Sequence, residues 1–463
     1  MNRREVHATA ALAAIFATRL LGLFMIYPVF LGYAQHLRGA TPERIGLALG
    51  AYGLAQGVLQ IPFGLLSDRL GRKLIIGIGL GLFALGSVVA AIATTIDGVL
   101  VGRILQGTGA VGSTVLALVA DLTREEVRTR AMALVGITIG FTFVIAIAAG
   151  PILASAIGVP GIFWLTAVLA LVGIAITLAV VPTPPRLVRH RDAEAVPALF
   201  ARICRDGELL RLDFAIFALH AILTASFLAV PSLLVGTLHL ASGSDWRLYL
   251  PVLAMSVVLM VPIVILAERG TRMKEVFLLT IAMLAASLLA FAAGGGNAVV
   301  FIVALVVFFG GFNTMEALLP SLVTKMAPAG AKGTATGIYS SSQFLGIFFG
   351  GAVGGWALAI GGDRTVFSFT LVIILVWLAL AATMRRPGRY RSQIVRLSDG
   401  ALQEPVKFAA LVETTPGVVE AVVAADEGCA YLKIDPAKFD AAAFAEIAGV
   451  GQSADSGAAS ARC

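Results

Sequence analysis

The chain has 463 residues, of which 59% are hydrophobic and 13% charged, with a mean hydropathy of +0.94; a soluble domain carries roughly a quarter charged residues. That composition excludes an ordinary soluble protein and makes lipid the solvent. The net charge of +7 does not indicate nucleic acid, because the basic residues fall in short clusters between apolar runs and so read as topology signals.

The basic start, Met1 to His7, leads into an apolar run that continues past Tyr33, which reads as a retained helix rather than a cleaved leader. Runs long enough to cross about 30 Å of hydrocarbon predict spans at 8–34, 43–66, 74–95, 98–121, 131–156 and 160–182. A second set is predicted at 212–236, 247–267, 275–294, 297–321, 333–358 and 363–385. The expected fold is therefore an all-α membrane protein of twelve helices in two six-helix bundles, residues 1–182 and 212–386, joined by a charged, Pro-containing linker at 183–211. Residues 387–452 depart from this pattern. Strands at 392–398, 418–424 and 429–434 with helices at 404–413 and 440–447 suit a small α+β domain of ferredoxin-like βαββα order. Residues 453–463 are small and polar and read as a disordered tail.

Lys and Arg occupy every second connection, as in Arg3/Arg4, Arg69/Arg72/Lys73, Arg124/Arg128/Arg130, Arg269/Arg272/Lys274 and Arg385/Arg386. The positive-inside rule then puts both termini in the cytoplasm. The halves also repeat: Pro62, Asp68, Arg69 and Arg72 recur as Pro262, Glu268, Arg269 and Arg272, each displaced by 200 residues. A duplicated six-span unit is the pattern of transporters whose halves are related by an axis along the membrane normal. Three cysteines, Cys204, Cys429 and Cys463, without CxxC spacing, predict neither a disulfide framework nor a metal site.

The run Gly64-Leu-Leu-Ser-Asp68-Arg69-Leu-Gly71-Arg72-Lys73 has a legible physical sense: Gly64 lets helices approach, Gly71 permits a tight turn, and Asp68 can cap a helix or pair with Arg72. It resembles the loop between the second and third helices of the major facilitator superfamily. Arg103-Ile-Leu-Gln106-Gly107-Thr-Gly109-Ala110 resembles that family's second motif, and Gly150-Pro151 the motif of its proton-coupled antiporters, with Ala146 and Ala154/Ser155 replacing the usual glycines. Gly64, Gly71, Gly150 and Pro151 are accordingly helix-packing and turn positions. The resemblance implies a gating charge cluster of Asp68, Arg72 and Asp121, echoed by Glu268 and Arg272, that latches the outward-facing state. Arg19-Leu-Leu-Gly-Leu-Phe-Met and Gly311-Phe-Asn313-Thr-Met-Glu316-Ala-Leu-Leu-Pro320 are similar to the YajR-like transporters of the same family. These imply a bacterial inner-membrane protein with a cytoplasmic C-terminal domain, exporting a small molecule by alternating access.

An ionisable side chain at mid-bilayer costs roughly 2.5–3.5 kcal/mol on insertion scales, so four residues stand out: Arg19, Arg103, His220 and Glu316. Arg19 and Arg103 are candidates for the cavity and an anionic group, with an arginine bonded to neighbouring backbone carbonyls as the plainer alternative. Glu316 and His220 fall at similar depth and form the proton-coupling candidates, against a structural ion pair and a packing histidine. Asn313 and Gln343 are candidate cavity lining. Gly107-Thr-Gly109-Ala-Val-Gly112 fits a dinucleotide fingerprint but lies inside an apolar helix, and small residues there serve helix packing instead. No phosphate-binding G-x-x-x-x-G-K-[ST] loop, metal cluster or nucleophile motif is present, so the expectation is a transporter and not an enzyme, with no cofactor and the proton gradient as its energy source. The partners expected are the lipid bilayer and a small-molecule substrate, with no nucleic acid, and a monomeric state. Export by antiport leads; metabolite uptake or uniport, and a non-transporting membrane sensor, are the alternatives.

Overall fold

The computed structural model describes residues 1–183, 196–238, 246–269, 272–293, 297–386, 388, 390–397, 404–425 and 428–448. Ten helices among the described residues are long and apolar enough to cross a membrane. Two of them, Glu125–Ala179 and Lys332–Ala382, run 55 and 51 residues. A straight helix of that length would measure about 80 Å, far beyond a bilayer. Each instead turns back at glycine: Gly158 has φ 70° and Gly362 φ 66°, left-handed values that cost least without a Cβ. The reversal is visible in the packing. Gly150 approaches Met25 and Thr166 approaches Gly22, neighbouring residues of one helix, and the rings of Phe349 and Phe369 lie 5.9 Å apart across the second turn.

Counting each long helix as two gives twelve spans. The first is Arg3–Phe24, with a short helix Phe30–Ala34 beyond it; then come Pro42–Leu70, Arg72–Ile92 and Ile96–Asp121, with Glu125–Ala179 supplying the fifth and sixth. The seventh to tenth are Gly207–Ser226, Trp246–Arg269, Met273–Ala292 and Ala298–Met326, and Lys332–Ala382 supplies the eleventh and twelfth. The outer surface carries large apolar side chains such as Phe141, Val258, Val299 and Ile360, while backbone groups are satisfied within helices, as a lipid environment demands. The seventh span begins earlier than expected because Asp206 caps it, accepting the backbone N–H groups of Glu208 and Leu209. Residues 184–195 of the expected linker and the 453–463 tail lie outside the described residues.

The repeat reaches helix ends. Lys73 Nζ donates to the carbonyl of Val181 at 2.8 Å, and Lys274 Nζ to that of Ala382 at 2.8 Å. In each half a cation at the start of the third span therefore holds the exit of the sixth. These lysines, the Glu5–Arg124 ion pair at 2.8 Å and the C-terminal unit share one end of the bundle, hereafter the terminal face. The Arg44–Asp97 pair and the Ser232–Asp363 hydrogen bond mark the opposite, distal face.

The C-terminal unit runs β1 (Arg391–Arg396), helix Pro405–Glu413, β2 (Val418–Ala424), β3 (Cys429–Ile434) and helix Ala441–Ala448, with β3 central and antiparallel to both neighbours. All six residues of β3 are buried because both sheet faces are covered. Val395, Val412, Leu432, Ile434 and Phe444 form a core under the helices, and Ala424, Cys429 and Tyr431 pack on Ala329 in the turn after the tenth span.

Candidate functional site

In the second half the seventh, tenth and eleventh spans bring together three polar side chains at one depth. Gln343 Nε2 lies 2.9 Å from His220 Nε2 and donates to it. The ring proton then sits on Nδ1, 3.2 Å from the carbonyl of Ile216. Glu316 Oε1 stands 3.4 Å from the same Nε2 and has no hydrogen-bond partner. Nε2 spends its one lone pair on Gln343, so Glu316 stands beside the imidazole without bonding it, and a direct Glu316–His220 hydrogen bond requires Gln343 to let go. His220 is sealed, its edge against Phe312 with ring centroids 5.6 Å apart, while the Glu316 side chain is 29% exposed. Glu316 and Gln343 are both partly exposed, and the sealed His220 stands behind them.

Asn313 donates to Ser256 Oγ at 3.0 Å, tying the tenth span to the eighth. A residue that the sequence reading passed over also lies here. Asp213 is buried with Oδ2 lacking a partner, and the buried Tyr339 hydroxyl of the eleventh span lacks one too. Its signal was an acid directly after Leu212, inside an apolar run taken as the helix edge.

The first half carries cations at comparable depth. Arg19 donates to the Tyr52 hydroxyl at 2.7 Å and to Gln56 Oε1, and Gln56 passes the chain on to Gln60 at 2.6 Å. Two glutamines one turn apart in an apolar helix were a readable sign of this ladder. Arg103 differs from the expectation of a cavity residue. It is fully buried, donates to the Leu49 carbonyl at 3.3 Å and to Gln106 Oε1 at 3.0 Å, and lies 5.1 Å from the Tyr52 ring centroid. It is thus the helix-to-helix arginine of the plainer reading, because the close-packed fourth span leaves it no opening: Gly107 there sits against the Tyr52 backbone.

At the terminal face Arg72 bonds Asp68 and places Nε 3.1 Å from Asp121 Oδ2, with both Arg72 and Asp121 side chains under 3% exposed. Gly71, at φ 100°, makes the turn that lets the second and third spans present these groups, and Gly64 admits Ser113 beside it. Gly150 lets the fifth span touch the Met25 carbonyl of the first, with Pro151 next to it inside the helix. The second-half counterpart is not built the same way. Glu268 accepts from Lys325 at 2.7 Å and Ser321 at 2.8 Å, and Arg272 is exposed at the start of the ninth span. The reason is the residue 200 positions after Asp121, which is Ser321 and offers Arg272 no carboxylate.

The halves meet along the second and eleventh spans. From Gly46 to Gly57 the backbones touch Gly351, Phe348, Phe344 and Ser341. Beyond Gln60 they part, leaving a cavity between Asp68 and Arg72 on one side and Gly333 and Thr336 on the other. On the distal side Tyr27 bridges the halves, its hydroxyl 3.2 Å from Thr224 Oγ1 and its ring 5.4 Å from that of Phe227. The distal side is therefore closed and the terminal mouth parted.

Comparison with known proteins places this architecture. The Major Facilitator Superfamily model matches residues 12–351 and 257–412. The chain is 41% identical over 436 residues to the inner membrane transport protein YajR of Escherichia coli K12, covering 94% of this chain and 95% of that one. It is 24% identical to multidrug resistance protein 1 of Bacillus subtilis over 85% of this chain and all of the relative. Among solved structures, a bacterial homolog of the human lysosomal transporter Spinster in an inward-facing, occupied conformation superposes with TM-score 0.65 at 14% identity, over 84% of this chain and 98% of that one. The human organic anion transporter MFSD10 gives 0.59 at 18% identity, over 82% of this chain and all of that one.

Proposed function

The chain belongs to the major facilitator superfamily, and on that premise we propose that it is a proton-coupled antiporter of the bacterial inner membrane that exports a small molecule by alternating access. The terminal face is cytoplasmic in this reading, from the bias of Lys and Arg toward that side. The observation that carries the proposal is the His220–Glu316 pair, a carboxyl group at membrane depth with no cation beside it and an imidazole 3.4 Å away. Such a group persists in lipid because it serves a transport step.

When the distal side opens, Glu316 takes a proton from outside. When the mouth reopens to the cytoplasm, the proton leaves and solute is loaded for the outward stroke. His220, steadied by Gln343, packs beside the Glu316 carboxyl and fixes where it stands. At 100 mV one proton supplies about 2.3 kcal/mol, enough for roughly a fiftyfold solute gradient. The relatives named as multidrug resistance proteins favour export. The test is proteoliposome transport with an internal pH dye and a panel of amphipathic solutes. A solute that collapses an imposed proton gradient with the native protein, and fails to do so with folded Glu316→Gln, supports antiport; a solute carried equally by both contradicts it.

A further inference from the structure

We infer that the C-terminal α+β unit is a built-in splint: docked on the turn between the tenth and eleventh spans, it holds the start of the eleventh span back and keeps the terminal mouth open. The inference rests on the alternating-access reading above and adds a regulator to it.

Three contacts make the dock. Lys433, on the central strand, places Nζ 3.0 Å from the carbonyl of Met326 and 3.1 Å from that of Ala327. These are the last carbonyls of the tenth span, which have no helical N–H to accept. An ammonium there also answers the negative end of the helix. The lysine gives up water to do this: burial pushes its ammonium below the usual lysine range, against the opposing pull of Glu420. Glu420, on β2, accepts the Ala329 N–H at 3.0 Å through Oε2 and the Arg202 guanidinium at 2.7 Å through Oε1. Between these polar contacts Tyr431 lies over Gly330, a turn residue at φ 66° whose Cβ would come within 3.3 Å of the ring.

One carboxylate thus ties the turn to the helix Phe200–Ile203 of the inter-half linker. The linker closes the circuit, since the Val196 N–H donates to Thr334 Oγ1 at 2.9 Å, on the first turn of the eleventh span. That same turn carries Gly333 and Thr336, the wall facing Asp68 and Arg72 across the mouth. Closing the mouth brings this wall toward the loop after the second span. With Met326, Ala327, Ala329 and Thr334 all held from the side of the linker and the sheet, any part of that swing made by bending this turn within the second half requires the dock to loosen. A contact made better in one state than the other shifts the balance between them, and the splint favours the open mouth.

The experiment uses the full chain in lipid nanodiscs, with spin labels introduced as unnatural amino acids at Leu70 and Thr324, exposed residues on opposite sides of the mouth, so that the native cysteines stay in place. Pulsed electron resonance reads the ratio of short to long distances. Lys433→Ala and Arg202→Ala each raise the short-distance share at least about threefold, since each removes a hydrogen-bonded charge, and Lys433→Arg stays near the native ratio. Arg202 is largely exposed and its replacement leaves the fold of the unit alone, so it carries the test should Lys433→Ala lose its sheet. Ratios unchanged in both alanine variants, or shifted toward long distances, overturn the splint. A single distance in every variant and at every pH overturns the alternating-access reading instead.

Discussion

The two halves place the same loop at the same end and use it differently. After the second span an arginine sits between two carboxylates and is buried with one of them, Asp68–Arg72–Asp121. After the eighth, Glu268 turns to Lys325 and Ser321 at a surface where both charged partners are about a third exposed. Mid-depth repeats the contrast. The first half holds guanidinium groups, Arg19 and Arg103, 5.9 and 5.1 Å from the centre of the Tyr52 ring, and the second holds an acid and an imidazole. Duplication fixes where helices, turns and lysine caps go; the charges at matched positions are free to diverge, and the divergence leaves cations at mid-depth in one half and an acid beside an imidazole in the other.

That contrast can be broken experimentally. The largest effect is expected from Arg72→Ala, which leaves the buried Asp121 without its cation and costs about 3 kcal/mol or more, read as a fall in the unfolding midpoint in detergent. A loss under about 1 kcal/mol would mean that the first-half cluster is no more demanding than its counterpart. Next comes Glu316→Gln, expected to lower solute-driven proton flux by about a hundredfold without moving the unfolding midpoint. Gly46→Val drives a side chain into the Gly351 carbonyl, 2.2 Å from where its Cβ would stand. It should disfavour the distal-closed state by about 1–3 kcal/mol, visible as a longer distance between labels on the distal face. Smallest is Lys325→Ala, whose exposed pair with Glu268 is worth under about 1 kcal/mol. A loss as large as that of Arg72→Ala would erase the asymmetry between the halves.

Much of the scaffold is readable before any coordinates. Apolar runs, alternating basic loops and the 200-residue echo give the spans and their pairing, since lipid imposes those patterns on sequence directly. The helix turning at Gly158 and the Asp206 cap needed the backbone itself. At the site, Glu316, His220 and Gln343 stand out because charge and amide are rare in lipid, and the fold brings them together. Partnership is less legible. Whether Arg103 faces a cavity or the Leu49 carbonyl depends on helix rotation, which composition does not encode. Asp213 hid at an apolar boundary, and the role of Lys433 as a cap for a helix more than a hundred residues earlier follows only from the docking of one fold on another.

The central claim is that the Glu316 carboxyl takes up and gives back the transported proton, and infrared spectroscopy of the full-length protein in lipid tests it most directly. As pH is stepped, the native protein should show a protonated-carboxyl band that grows and vanishes reversibly and is missing from Glu316→Gln. The same band, titrating identically in both proteins, would contradict the account.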